Sequence, residues 1–245
     1  MFTKYNDAFD LLVESYYNGN FDDTFIRVLG AHEKSPQDTF AVLSSLCGSN
    51  IPYDNNYLNN IKASIENYNP KQKIVEKIKG CDSTCEKNSD GFSPCQNSCT
   101  NNAISYDALK GEVYIDNMLC NDCGMCISAC KHGTILDKIE VLPLINRIKN
   151  NDNVVVALDP NIISGFHNHS SLVSLKKSLF NLGFENVLQC SYDELAHKKS
   201  NKDVVVFVGP SIDKKANLTQ SPYNSKIDFV LTYDELEEVL HAMNI

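Results

Sequence analysis

Eight of the ten cysteines in this 245-residue chain fall into two runs, and any fold must place those thiols usefully. The second run is regular: Cys120, Cys123, Cys126 and Cys130 are separated by two, two and three residues. Three thiolates so close on one short loop suit one face of a four-iron cubane, with the fourth free to reach a neighbouring cluster. The first run, Cys81, Cys85, Cys95 and Cys99, is spaced by three, nine and three residues and supplies that neighbour. Zinc is the alternative, because two pairs of cysteines can make a tetrahedral all-thiolate site. Disulfides fit less well. The chain begins Met-Phe-Thr-Lys-Tyr, with no basic start and apolar stretch to direct it to an oxidising compartment.

The two runs share an internal repeat. The stretch from Asn97 to Ile104 matches that from Ser128 to Ile135 in layout, each fourth cysteine being followed five positions on by isoleucine. Between them, Ala103 to Tyr106 and Glu112 to Ile115 alternate as a short hairpin should, around a turn at Asp107 to Gly111. This skeleton resembles a two-cluster ferredoxin domain, in which the fourth cysteine of each run ligates the other cluster. Thr100 and Lys131 stand where the ferredoxin motif usually has proline, so looser loops are expected there.

Composition sets the outer bounds. With 42% apolar and 22% charged residues the chain reads as a soluble globular protein of two or three modules, and no apolar run reaches membrane-spanning length. A net charge of −9 and a pI near 5.1 argue against nucleic acid and fit an acidic electron carrier that docks on basic partners. Residues 1–70 read as a helical segment: Tyr5, Phe9, Leu12, Val13 and Tyr16 share a face ending at Asn18 to Asn20. A short helix over Phe21 to Leu29 follows, then one capped by Ser35 and Pro36 that stops at Gly48, then one marked by Tyr57, Ile61, Ile65 and Tyr68 and closed by Pro70. Cys47 reads as a core thiol. Residues 71–150 hold the cluster motifs. Residues 151–245 alternate apolar runs at 154–158, 187–190, 204–208 and 229–231 with helical patterns, which predicts a small α/β domain with a largely parallel sheet. The fold class is therefore α+β overall.

From about residue 71 onward the chain resembles the monomeric iron-iron (FeFe) hydrogenases of anaerobes. The resemblance rests on Pro94-Cys95 with Cys99, the run Cys120 to Cys130, Leu136 to Lys138, Val155 to Pro160, Ser164 to Phe166, Leu182 to Val187, Phe207 to Lys215 and Asp228 to Leu236. It implies two [4Fe-4S] clusters, one on Cys81, Cys85, Cys95 and Cys130 and the other on Cys99, Cys120, Cys123 and Cys126. It also exposes departures. That family holds its catalytic H-cluster with cysteines from three motifs. Here the first is missing from the stretch Ser191 to Ser200, the second has become Pro210-Ser211, and the third would lie beyond Ile245. Lys214 matches a family lysine near that cluster and reads as a relic or a surface charge, and Cys190 as a buried, inert strand residue. The expected protein is an iron-sulfur electron carrier with no catalytic residues of its own, cytoplasmic, serving a redox partner such as a ferredoxin, flavoprotein or reductase subunit. Alternatives are a redox-sensing regulator, the electron-transfer subunit of a reductase, or, less readily, an active hydrogenase. His167 and His169 could clasp a metal but read better as a solvated loop, and His132 could bond to the cluster beside Cys130.

Overall fold

A computed structural model of the chain describes residues 4–31, 35–69, 73–165, 171–191, 194, 203–220 and 227–245. The N-terminal segment forms four helices: α1 (Asn6–Asn18), α2 (Phe21–Gly30), α3 (Pro36–Leu46) and α4 (Tyr57–Glu66). Gly19, at φ 86°, closes α1 in the left-handed conformation that a glycine adopts without steric cost. Ser35 stands at the N-cap of α3, yet its hydroxyl bonds the Gln37 side chain, and Pro36 in the first turn supplies the start signal. Tyr68 lies past the end of α4 instead of on it: its ring stacks on Phe229 and its hydroxyl donates to Glu140 at 2.5 Å. Pro70 and the histidines at 167 and 169 lie outside the described residues.

The cysteine-bearing region is built on two small antiparallel sheets. One pairs β1 (Val75–Lys77) with β4 (Ile135–Asp137), and the other is the expected hairpin of β2 (Ile104–Asp107) and β3 (Glu112–Ile115). Two five-residue helices, α5 (Pro94–Ser98) and α6 (Met125–Ala129), carry the later cysteines of each run. A helix α7 (Val141–Lys149) leads on to β5 (Val154–Leu158), α8 (Ile162–Gly165), α9 (Leu172–Leu182) and β6 (Asn186–Gln189). The chain then forms β7 (Val204–Gly209), α10 (Ile212–Gln220), β8 (Phe229–Thr232) and α11 (Tyr233–Ala242). The four strands make one parallel sheet in the order β6-β5-β7-β8. Thr232 and Glu235 form the capping box that opens α11, and Ser171 caps α9 through the Ser174 N–H.

Alternation along β5 and β7 divides the core. Val154, Val156 and Leu158, with Val204, Val206 and Val208, face a large cluster holding Phe9 and Leu12 of α1, Phe25, Phe40, Ile61, Leu142 of α7, Leu179 of α9 and Leu236 of α11. Ala157, Val205 and Phe207 face the other side, against Cys190 and Leu218. The N-terminal helices thus bury their apolar faces in the same core as the parallel sheet, each large side chain contributing on the order of 1.5–3 kcal/mol. A third cluster, containing Ile74, Val75, Ile104, Val113, Ile127 and Ile135, surrounds Cys95 and Cys126 and takes in Ile212 and Ala216 of α10. Helix α10 is therefore the wedge between the cysteine region and the sheet.

Candidate iron-sulfur site

The sequence repeat is a structural repeat. Cys95 and Cys126 each occupy the second position of a five-residue helix, and Cys99 and Cys130 each cap it with nearly the same backbone (φ −83°, ψ 99° and φ −81°, ψ 94°). Three residues on, Asn102 and Gly133 both turn left-handed, at φ 53° and 59°. The next N–H then donates to the cap sulfur: Ala103 to Cys99 Sγ at 3.2 Å and Thr134 to Cys130 Sγ at 3.3 Å. These bonds close both loops in the absence of proline at Thr100 and Lys131.

Cys130 crosses to the other run. It borders a cavity of about 180 Å³ together with Cys81, Cys85 and Cys95, closed below by Thr134 and Ile135. Cys120 and Cys123 stand beside Cys126, and Cys99 packs against the core that contains Cys126. Burial pushes the thiols of Cys85, Cys95 and Cys120 above their usual value, and that of Cys126 up to about 12, with neighbouring cysteines adding to the rise. Metal binding at these positions must therefore release protons, since only thiolates ligate. Cys47 and Cys190, by contrast, are buried in apolar clusters away from these cavities.

The loops are pinned by polar contacts the sequence did not announce. Asp122, fully buried and left-handed at φ 57°, accepts from the N–H groups of Ile74 (3.2 Å) and Val75 (2.9 Å) and pairs with Lys73 at 3.2 Å, tying the Cys120–Cys123 loop to β1. Lys73 also donates to the Cys120 carbonyl at 2.6 Å. Glu112 of β3 accepts from the Cys81 N–H at 3.3 Å and pairs with Lys77, which lowers the Glu112 carboxyl from its usual range. His132 sits 3.6 Å from Asp82 at the rim of the first cavity. The hydroxyl of Tyr5, at the start of α1, donates to the Gly133 carbonyl at 3.0 Å, and a Cβ at Gly133 would meet it at 2.6 Å.

The donor set fits iron-sulfur better than zinc. Around one tetrahedral zinc, sulfurs at about 2.3 Å from the metal lie within roughly 4 Å of each other. Among the described residues the sole set of three or more ligand atoms all within 4.8 Å of one another is Asp10, Glu238 and His241, and no three cysteine sulfurs are so close. Thiolates spread more widely than a single ion demands, all sulfur and split between two runs, match a cubane.

On the side facing the parallel sheet, a cavity of about 210 Å³ lies between the cluster loop and the starts of α10 and α11, lined by Cys123, Gly124, Ser128, Ser211, Asp213 and Thr232. Ser211 is thus beside the second cysteine run, while most of the Ser191–Ser200 stretch lies outside the described residues. Lys214 is half-buried, and its neighbour Lys215 is fully buried.

Two family models match the chain. Residues 113–136 match the 4Fe-4S binding domain, and residues 189–245 match the C-terminal domain of the iron only hydrogenase large subunit. Over residues 189–245 the chain is FeFe-hydrogenase-like. No curated protein matches it. The first match spans Cys120, Cys123, Cys126 and Cys130, and the second spans β7, α10, β8 and α11. The FeFe-hydrogenase-like chain is an iron-sulfur protein with a ferredoxin-type electron-transfer module. No helix among its described residues is long and apolar enough to cross a membrane.

Proposed function

We propose that this chain is a one-electron carrier with two [4Fe-4S] clusters and no H-cluster, passing electrons to or from a redox partner protein in a reducing compartment such as the cytoplasm. The observation that carries the reading is the convergence of Cys130 with Cys81, Cys85 and Cys95 on one cavity, at the end of a structural repeat in which Cys99 holds the corresponding place. Cys81, Cys85, Cys95 and Cys130 would hold one cluster, and Cys99, Cys120, Cys123 and Cys126 the other. When bound, each cubane supplies one reversible electron. The protein's own groups position the cysteines: Asp122 and Glu112 hold the loops, and α10 seals the module from the sheet. Ser211, where the resembled family has a cysteine, is too weakly acidic to offer a soft metal an anionic ligand. Anaerobic reconstitution should give about eight iron and eight sulfide per chain. One zinc per chain and no visible absorption would overturn the reading.

A further inference from the structure

Five charged side chains meet where β4, α10 and α11 join, and all five are buried: Asp137, Lys138, Glu140, Lys215 and Glu235. Three are acids and two are bases, so the fully ionised group carries one uncompensated negative charge. Glu140 is well held, accepting from Tyr68 at 2.5 Å and the Val230 N–H at 2.7 Å, with Lys138 at 3.3 Å. Glu235 is also well held, by Lys215 and by the Thr232 N–H, each at 2.6 Å. Lys215 spends a further proton on the Lys138 carbonyl. Asp137 receives none of this. Both its carboxyl oxygens are buried without a hydrogen-bond partner, and the Lys215 ammonium stands 3.6 Å away. Burial accordingly raises its affinity for a proton, with Lys215 opposing.

Asp137 is also next to the electron-transfer module. It lies two residues along β4 from Ile135, on the same strand face and roughly 7 Å away. Ile135 closes the cavity shared by Cys81, Cys85, Cys95 and Cys130. Asp137 also borders a small cavity of about 20 Å³, the size of a single water site, lined as well by Ser49, Asn50 and Glu76. Asn50 is exposed and donates to Glu76 at 2.8 Å, so this cavity leads towards solvent.

We propose that Asp137 is a redox-linked proton site: when the cluster on Cys81, Cys85, Cys95 and Cys130 takes up an electron, Asp137 takes up a proton from solvent. This rests on the two-cluster reading above. The electron comes from an external one-electron donor, and the proton converts carboxylate to carboxylic acid, so the added negative charge is cancelled locally. The charged or titratable groups around Asp137 are Lys138 and Glu140 on its own segment, Glu76 of β1, Tyr68 after α4, Lys215 of α10 and Glu235 of α11. Each of the other carboxylates has a donor already in place, whereas Asp137 has none, and Glu235, which burial raises to about 7, is the competing proton site that the Asp137 variant must separate.

The test is a potentiometric titration of the anaerobic, iron-loaded protein with viologen mediators between about pH 6 and pH 9. The wild-type potential should fall with rising pH, by up to about 59 mV per tenfold drop in proton concentration. Asp137→Asn should remove the slope while keeping iron content. Redox-difference infrared spectra of the wild type need no variant, and reduction should produce a protonated-carboxyl band. A flat wild-type potential, the absence of that band, or a slope that survives in Asp137→Asn and so belongs to another group such as Glu235, each overturns the proton link alone. A protein that takes up no iron overturns the two-cluster reading and this inference with it.

Discussion

Replacing Lys215 by methionine removes the one cation that serves two buried acids. Its ammonium is completely enclosed, donates to Glu235 at 2.6 Å and to the Lys138 carbonyl, and stands 3.6 Å from Asp137. Losing the charge-assisted bond costs about 1.5–3 kcal/mol, and orphaning the buried carbonyl another 1–3. The sum, about 2.5–6 kcal/mol, brackets the usual cost of about 3–5 kcal/mol for breaking a buried ion pair and is a large part of a stability of about 5–15 kcal/mol. The cost depends on pH with a definite sign. Burial raises Glu235 from its ordinary value of 4.5 to about 7, so the folded state binds more protons than the unfolded one between those values. The contribution of this carboxyl to stability is therefore greatest at acid pH and is lost as pH rises through about 7. Without Lys215 the Thr232 N–H still opposes that trend but no cation at this site does, and protonation at low pH relieves the stranded charge. Urea unfolding of the iron-loaded protein, followed by far-ultraviolet circular dichroism, should show the full loss at about pH 8 and a loss at least 1 kcal/mol smaller at about pH 5.5. A loss below about 1 kcal/mol, or one equal at both pH values, would refute the account.

Other outcomes follow from the same geometry. Cys130→Ala should damage the electron paramagnetic resonance signal that a Cys81/Cys85 double variant also removes, and Cys99→Ala the one lost with Cys120 and Cys123; the reverse assignment would make ligation local to each run. Gly124→Ala should destabilise the chain by about 1–2 kcal/mol for the left-handed backbone alone, and by more because its Cβ would lie 2.8 Å from Ile212 Cδ1; a denaturation midpoint within error of wild type would contradict this. Co-expression with hydrogenase maturation factors should yield no hydrogen from reduced viologen, and turnover that carbon monoxide abolishes would mean the catalytic site survives.

What could be read from the sequence was what repeats or alternates. The two cysteine runs, the hairpin between them, the apolar strands of the parallel sheet and the Thr232–Glu235 cap all carry periodic or positional signals, and each is found where it was expected. The β1–β4 pair was missed because three-residue strands carrying Glu76, Lys77 and Asp137 show no alternation. Helix α7 was missed as well, Pro143 obscuring its first turn. Above all, charge was read as surface. Lys214 drew notice through resemblance, whereas Lys215, on the same helix face as Ile212, Ala216 and Thr219, is the lysine that is buried. That i, i+3, i+4, i+7 spacing was the available signal, and it pointed to a lysine enclosed among apolar neighbours.

The joining of α1 to α11 has a bearing on how the chain is made. His241 meets Asp10 at 3.1 Å across a separation of 231 residues, and Phe9, Leu12 and Val13 of α1 share a core with Leu236, Val239 and Leu240 of α11. The apolar stripe of α1 also packs against α2, α3 and α7, so the contact with α11 completes its burial and does not begin it. The cysteine module carries all its thiols by β4, but its core takes in Ile212 and Ala216 and is filled only once α10 has been made. Docking of α11 on α1 must close a long loop, which slows that step.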